Sequence, residues 1–109
     1  MTIEEARTIF LNCAGASEGQ HHGHPDFRAK KKIFGTLLPK TGRVVLRLPP
    51  TLADLLISES PSRYRIVSGI GGMSWLEIPV AEISYGEFES LAEIAIERLT
   101  KSRPQDGPG

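Results

Sequence analysis

Between His24 and Leu48 the sequence HPDFRAKKKIFGTLLPKTGRVVLRL leaves the backbone few choices. Arg43 to Leu48 alternates, with Val44, Leu46 and Leu48 on one side and Arg43, Val45 and Arg47 on the other. That period of two marks a strand with one face in a core, and its second face offers two arginines to solvent or a ligand. Just before it, Pro39 to Gly42 (PKTG) places Pro and Gly where a tight turn uses them. Phe27–Lys32 and Ile33–Leu38 are extended candidates, with Phe27, Ile33, Phe34 and Leu37 as the expected buried residues. Lys30, Lys31 and Lys32 cannot all point one way on a strand, so a turn or bulge is expected among them. A basic hairpin at the middle of a small sheet is the expected organising element.

The rest of the chain supplies what covers that sheet. Thr2 to Ala14 carries Ile3, Ala6, Ile9, Phe10, Cys13 and Ala14 at three- and four-residue steps, the helical period. Thr2 with Glu5 forms a T-x-x-E capping box, and Gly15 is a natural stop. Ala16 to Asp26 (ASEGQHHGHPD) reads as a polar loop. Pro49-Pro50 breaks the strand, after which Thr51 is expected to cap a short helix that turns Leu52, Leu55 and Leu56 inward and ends at Ser60-Pro61. Arg63–Ser68 and Ser74–Val80 read as two more strands around a flexible GIGGM tip, the second lying at an edge or ending at Pro79. Ser84 and Glu87 form another capping box, opening a helix to Thr100 with Phe88, Leu91, Ala92, Ala95 and Leu99 as its buried stripe.

At 109 residues such a set makes one α+β domain over residues 1–100, with the Pro/Gly-rich stretch 101–109 as a disordered tail. The expected architecture is an antiparallel sheet packed by an N-terminal, a short middle and a C-terminal helix. No apolar run approaches the roughly 20 residues of a membrane span. MTIEEARTIF carries acids early and does not read as a signal peptide. One cysteine excludes an internal disulfide and fits a reducing compartment. A cytoplasmic monomer is expected.

Formal charge sums to zero, but its distribution is lopsided. From Arg28 to Arg65 nine Lys/Arg stand against two acids, and from Ile66 to Leu99 six Glu stand against one Arg. A polarised chain can present a basic face despite a zero total, although most charge runs only solvate a surface. Lys30, Lys31, Lys32, Lys40, Arg43, Arg47, Arg63 and Arg65 are therefore candidates for phosphate contacts with DNA. A pI near 6.8 and the lack of a readout motif argue against that reading. The alternative is a protein- or small-ligand-binding domain without catalytic activity, with Tyr64 and Trp75 as amphipathic anchors beside Arg65.

Catalysis and cofactors find little support. Cys13 falls on an apolar helix face, and Ser17 and Ser74 have no nucleophile motif around them. His21, His22 and His24 invite a metal or general-base reading, with Asp26 as a further oxygen ligand and Glu18 as an acid partner. They lack the helix-borne i, i+4 spacing that fixes two imidazoles on one ion, so no metal site and no catalytic residue is assigned. GIGG is not a nucleotide loop, because G-x-G-x-x-G needs glycine where Ser74 stands.

The order of elements, together with particular residues, resembles the MmcQ/YjbR-like family of small bacterial proteins. The resemblance runs from Gly15-Ala16 and Glu18 through Gly23-x-Pro25, Phe27 and Lys31/Lys32-Ile33-Phe34 to Val44-x-Leu46-x-Leu48 and Trp75-Leu76-x-Ile78. It spans about residues 1 to 100. The resemblance implies an α+β fold with an antiparallel sheet packed by helices, a suggested DNA-binding role through paired strand wings, and no catalytic residues to carry over. Ile94-Ala95-Ile96 replaces a tyrosine-bearing pattern of the family's last helix, so nothing is transferred from that helix.

Overall fold

A computed structural model describes residues 1–101. Of the expected tail, Lys101 closes the last helix and the remainder lies outside the described residues. Elements run α1 (Ile3–Asn12), β1 (Ser17–His21), β2 (His24–Ala29), β3 (Lys32–Leu38), β4 (Arg43–Leu48), α2 (Pro50–Glu59), β5 (Arg65–Ser68), β6 (Ser74–Pro79) and α3 (Tyr85–Lys101). The strands form one antiparallel sheet in the order β1-β2-β3-β4-β6-β5, and α1 and α3 pack together against one of its faces. This is the α+β arrangement expected from the sequence.

Both capping boxes form: Glu5 N–H donates to Thr2 Oγ1 at 3.1 Å while Thr2 N–H donates to Glu5 Oε1 at 2.8 Å, and Ser84 and Glu87 repeat the exchange. Each satisfies two donors that a helix start leaves open. The apolar stripes these helices present meet Phe27, Leu37, Val44, Leu46, Leu48, Leu76 and Ile78 of the sheet, all fully buried. Phe10 is the hub. Its ring stacks on Phe27 at 4.5 Å and meets Phe34 and Phe88 edge-on at 5.6 and 5.3 Å. Gly35 makes the space for it, since a Cβ there would lie 2.3 Å from Phe10 Cε1.

Four expectations are corrected. Ala16 to Asp26 is not a loop: it contains β1, the β1–β2 turn and the start of β2, and the turn is His22-Gly23 with φ of 48° and 79°. Positive φ at both residues of a two-residue loop is the turn that matches strand twist. The β2–β3 turn repeats that geometry with Lys30 and Lys31 at φ of 51° and 66°, in the place where a turn was expected. Ile33 does not join the core. Phe34 is an extra residue in the β2–β3 ladder, where Phe27 pairs with Gly35 and Arg28 with Ile33, so alternation resets and Ile33 turns to the opposite face. Thr51 does not cap α2, which begins at Pro50 with no side-chain cap, because proline's fixed φ and missing N–H suit the first helical position. Finally, α2 buries Ala53 completely but leaves Leu55 54% exposed, so its leucines do not all face inward. β6 lies between β4 and β5 and ends at Pro79.

Candidate functional site

Helices α1 and α3 cover one face of the sheet; the other carries the candidate site. One rank of paired residues crosses all six strands on that face: Gly19, Asp26, Thr36, Val45, Glu77 and Arg65. It contains both buried acids of the described residues, Asp26 at 0% and Glu77 at 8% exposure. A buried carboxylate is tolerated only when paired and hydrogen-bonded, and the flanking ranks supply the partners.

Asp26 is gripped from two sides. Arg28 Nε donates to its Oδ1 at 2.8 Å and Nη2 to its Oδ2 at 2.9 Å, while His21 Nδ1 lies 2.7 Å from Oδ2. Hydrogen bonding from Arg28, with a smaller contribution from His21, holds the Asp26 carboxyl below its ordinary range against the opposing effect of burial. In the neutral imidazole, an Nδ1–H directed at the Asp26 carboxylate leaves a lone pair at Nε2. Gly19 is the floor of this arrangement, because a Cβ there would stand 2.9 Å from Asp26 Oδ1 and 3.1 Å from Arg28 Nε.

Glu77 is the second anchor. Arg65 Nη2 donates to its Oε1 at 2.9 Å, and Arg43 Nη1 lies 3.7 Å from the same oxygen, an ion pair without a hydrogen bond. Arg63 joins them from the connection before β5. Its guanidinium sits over the Tyr64 ring at 5.6 Å, Nη1 donates to Tyr64 Oη at 3.4 Å, and Glu87 lies 3.7 Å away. Arg43, Ser62, Arg63, Tyr64, Arg65 and Glu77, with Pro61, surround a polar cleft of about 340 Å³. Four sequence candidates, Arg43, Arg63, Tyr64 and Arg65, thus come together here.

A second, apolar cleft of about 390 Å³ lies beside it on the same face. Ile33, Leu38, Val45, Val67, Ile70 and Trp75 form most of its walls, with Thr36, Ser68, His21 and His24 adding polar groups. Trp75 Nε1 donates to the Ile70 carbonyl at 3.0 Å, which ties the indole to the β5–β6 connection. His21 on β1 and Val67 on β5 belong to opposite edges of the sheet. In a flat sheet five strand spacings would part them by about 24 Å. Since both line one cleft, the sheet is curled, and two irregularities that bend strands contribute: the extra Phe34 in the β2–β3 ladder and the extra Val67 in the β5–β6 ladder.

The remaining candidates disperse. Lys30 and Lys31 form the β2–β3 turn with Lys32 beside them, while Lys40 occupies the β3–β4 turn at the other end of β3. Arg47 shares the open face and pairs with Trp75, but it is half-buried. Its Nη1 is buried without a hydrogen-bond partner, and burial pushes its pKa down. His22 is exposed in its turn, with its ring edge-on to His21 at 5.6 Å. Glu18 pairs with Arg7 of α1 and not with a histidine. Cys13 is half-buried, its Sγ 3.5 Å from the Ile9 carbonyl, and burial followed by Glu93 and Glu89 pushes its thiol pKa up, away from a nucleophilic thiolate.

Sequence reasoning missed Thr36, Leu38, Val67 and Ile70 as site residues. Alternation in Arg43–Leu48 and Ser74–Val80 already set Val45, Trp75 and Glu77 on the side away from the core, which was the available signal. No helix among the described residues is long and apolar enough to cross a membrane.

No family model matches the sequence, and no curated protein is similar to it in sequence. Among solved structures, the Deinococcus radiodurans protein DR2400, a DUF419 domain, superposes with a TM-score of 0.80 at 13% identity, over 93% of this chain and 80% of that one. The likeness shows the fold: the chain shares the α+β arrangement of that structure, as its sequence resemblance implied.

Proposed function

We propose that the protein is a binding domain whose open sheet face takes a small molecule with a flat apolar body and a hydroxyl group. The observation that carries this reading is the apolar cleft walled by Val45, Ile33, Leu38, Val67, Ile70 and Trp75, with His21 fixed at its edge by a fully buried Asp26. Its volume falls in the range of small-molecule sites, which are mostly apolar with a few placed polar groups. A hydroxyl donor matches the acceptor nitrogen that Asp26 leaves on His21, and the Thr36 and Ser68 hydroxyls add further partners. Amide correlation spectra titrated with 2-naphthol test it. Saturable shifts confined to Thr36, Val45, Val67 and Trp75, and abolished by Val45→Asp, are expected. Non-saturating shifts spread over the molecule would refute the reading.

Nucleic-acid binding through Lys30, Lys31, Lys32, Lys40, Arg43, Arg47, Arg63 and Arg65 has one observation in its favour: Arg43, Arg47 and Arg65 do share the open face. Against it, Glu77 already draws on Arg43 and Arg65, Arg47 is half-buried, and the lysines sit at separate turns. Fewer cations then remain to displace counterions than the sequence alone suggests. Titration with duplex DNA at low salt separates the readings, since phosphate-driven binding would be steeply salt-dependent while occupancy of the apolar cleft would not.

A further inference from the structure

We propose that the polar cleft formed by Arg43, Arg63 and Arg65 is a binding site for a phosphate monoester, independent of the apolar cleft beside it. Three guanidiniums reach this cleft from separate places in the chain: the start of β4, the connection after α2 and the start of β5. Arginine's planar fork matches phosphate oxygens, and convergence from three directions suits a terminal phosphoryl group with three free oxygens better than a two-oxygen carboxylate.

The arginines are held, yet not saturated. Arg65 donates to Glu77 Oε1 at 2.9 Å, whereas the approaches of Arg43 to Glu77 and of Arg63 to Glu87 are both 3.7 Å, beyond hydrogen-bonding distance. Each guanidinium has five N–H donors, so most remain to be used. Glu77 draws on Arg43 and Arg65 as a competing carboxylate, whereas Tyr64 holds Arg63 through its ring and hydroxyl. Three arginines against Glu77 leave the lining two charges positive, which balances a dianionic monoester and over-compensates a singly charged diester. Glu87 lies outside the lining, and its ion pair with Arg63 is long at 3.7 Å.

Calorimetric titration of the intact protein with phenyl phosphate, with inorganic phosphate alongside, tests the assignment. Saturable one-to-one binding is expected, weakened about tenfold or more by Arg63→Gln and by Arg43→Gln. Lys40→Gln, a cation outside the cleft, is expected to change affinity less than twofold. Glu77→Gln is the discriminating variant, because removing the competing carboxylate should tighten binding severalfold. Arg63→Lys is expected to restore only part of the loss, since it keeps the charge and not the fork. Absence of saturation, an equal loss in Lys40→Gln, weaker binding in a folded Glu77→Gln, or preference for duplex DNA over phenyl phosphate would each overturn the proposal. Melting curves of every variant establish that the folded protein is being measured.

Discussion

Gly35→Ala should unfold this protein more readily than any other single methyl added to a described glycine, and the reason is one contact. The new Cβ would lie 2.3 Å from Phe10 Cε1 and 2.4 Å from Cζ, where carbon atoms rest at about 3.5–4.0 Å. Gly35 is a strand residue without positive φ, so the backbone term favours alanine by about 0.5–1 kcal/mol. Packing opposes it more strongly. The Phe10 ring must move by over about 1 Å to restore contact distance, which disturbs its stack on Phe27 and its edge contacts with Phe34 and Phe88. Such pairs are worth about 0.5–1.5 kcal/mol each beyond burial, and overpacking a rigid core costs about 1–3 kcal/mol. A net loss of about 3 kcal/mol follows, or a Tm lower by about 10–15 °C. Equilibrium urea unfolding, followed by fluorescence of the single tryptophan Trp75 and by far-UV circular dichroism, measures it. Phe10→Leu alone should cost about 2–4 kcal/mol, from the three ring contacts and the lost volume. The smaller leucine side chain leaves room for the methyl that Gly35→Ala adds, so the double variant should be better than additive by at least about 1.5 kcal/mol. Additivity within about 0.5 kcal/mol, or a Gly35→Ala cost below about 1 kcal/mol, would refute the reasoning.

Two further outcomes are expected from the site and its supports. Asp26→Asn should destabilise by about 2 kcal/mol at neutral pH, the scale of charge-assisted hydrogen bonds lost to Arg28 and His21. Because the folded-state pKa of Asp26 is lowered, this stabilisation is fully present above the unfolded carboxyl pKa of about 3.9 and is lost as pH falls through the folded value. Urea midpoints of wild type and variant should therefore converge below about pH 4, and a gap that persists unchanged into acid would contradict the assignment. Replacing Lys30-Lys31 by Asn-Gly should stabilise by about 0.5–1 kcal/mol, since both residues sit at positive φ, and a lower melting temperature would argue against that turn geometry.

Residue order alone settles the helices at both ends, the alternating strands β4 and β6, and hence the side of the sheet that Arg43, Arg47, Trp75 and Glu77 occupy. Capping boxes and apolar periods are local, so their outcome does not wait on distant partners. Residue order does not settle β1, whose polar SEGQH lacks strand character and is extended because the His22-Gly23 turn lays it along β2. Nor does it settle the destination of Ile33, which depends on one unpaired residue in a ladder. The site is legible only in part for the same reason. Arg43, Arg63, Tyr64 and Arg65 could be named from the sequence as candidates only, and the structure brings them to one cleft. That Glu77 would share two of the arginines, or that Asp26 would sit over Gly19 and hold His21, follows from strand register and sheet curl. Register and curl are set by pairing between residues far apart in the chain, and they exist only once the sheet has assembled.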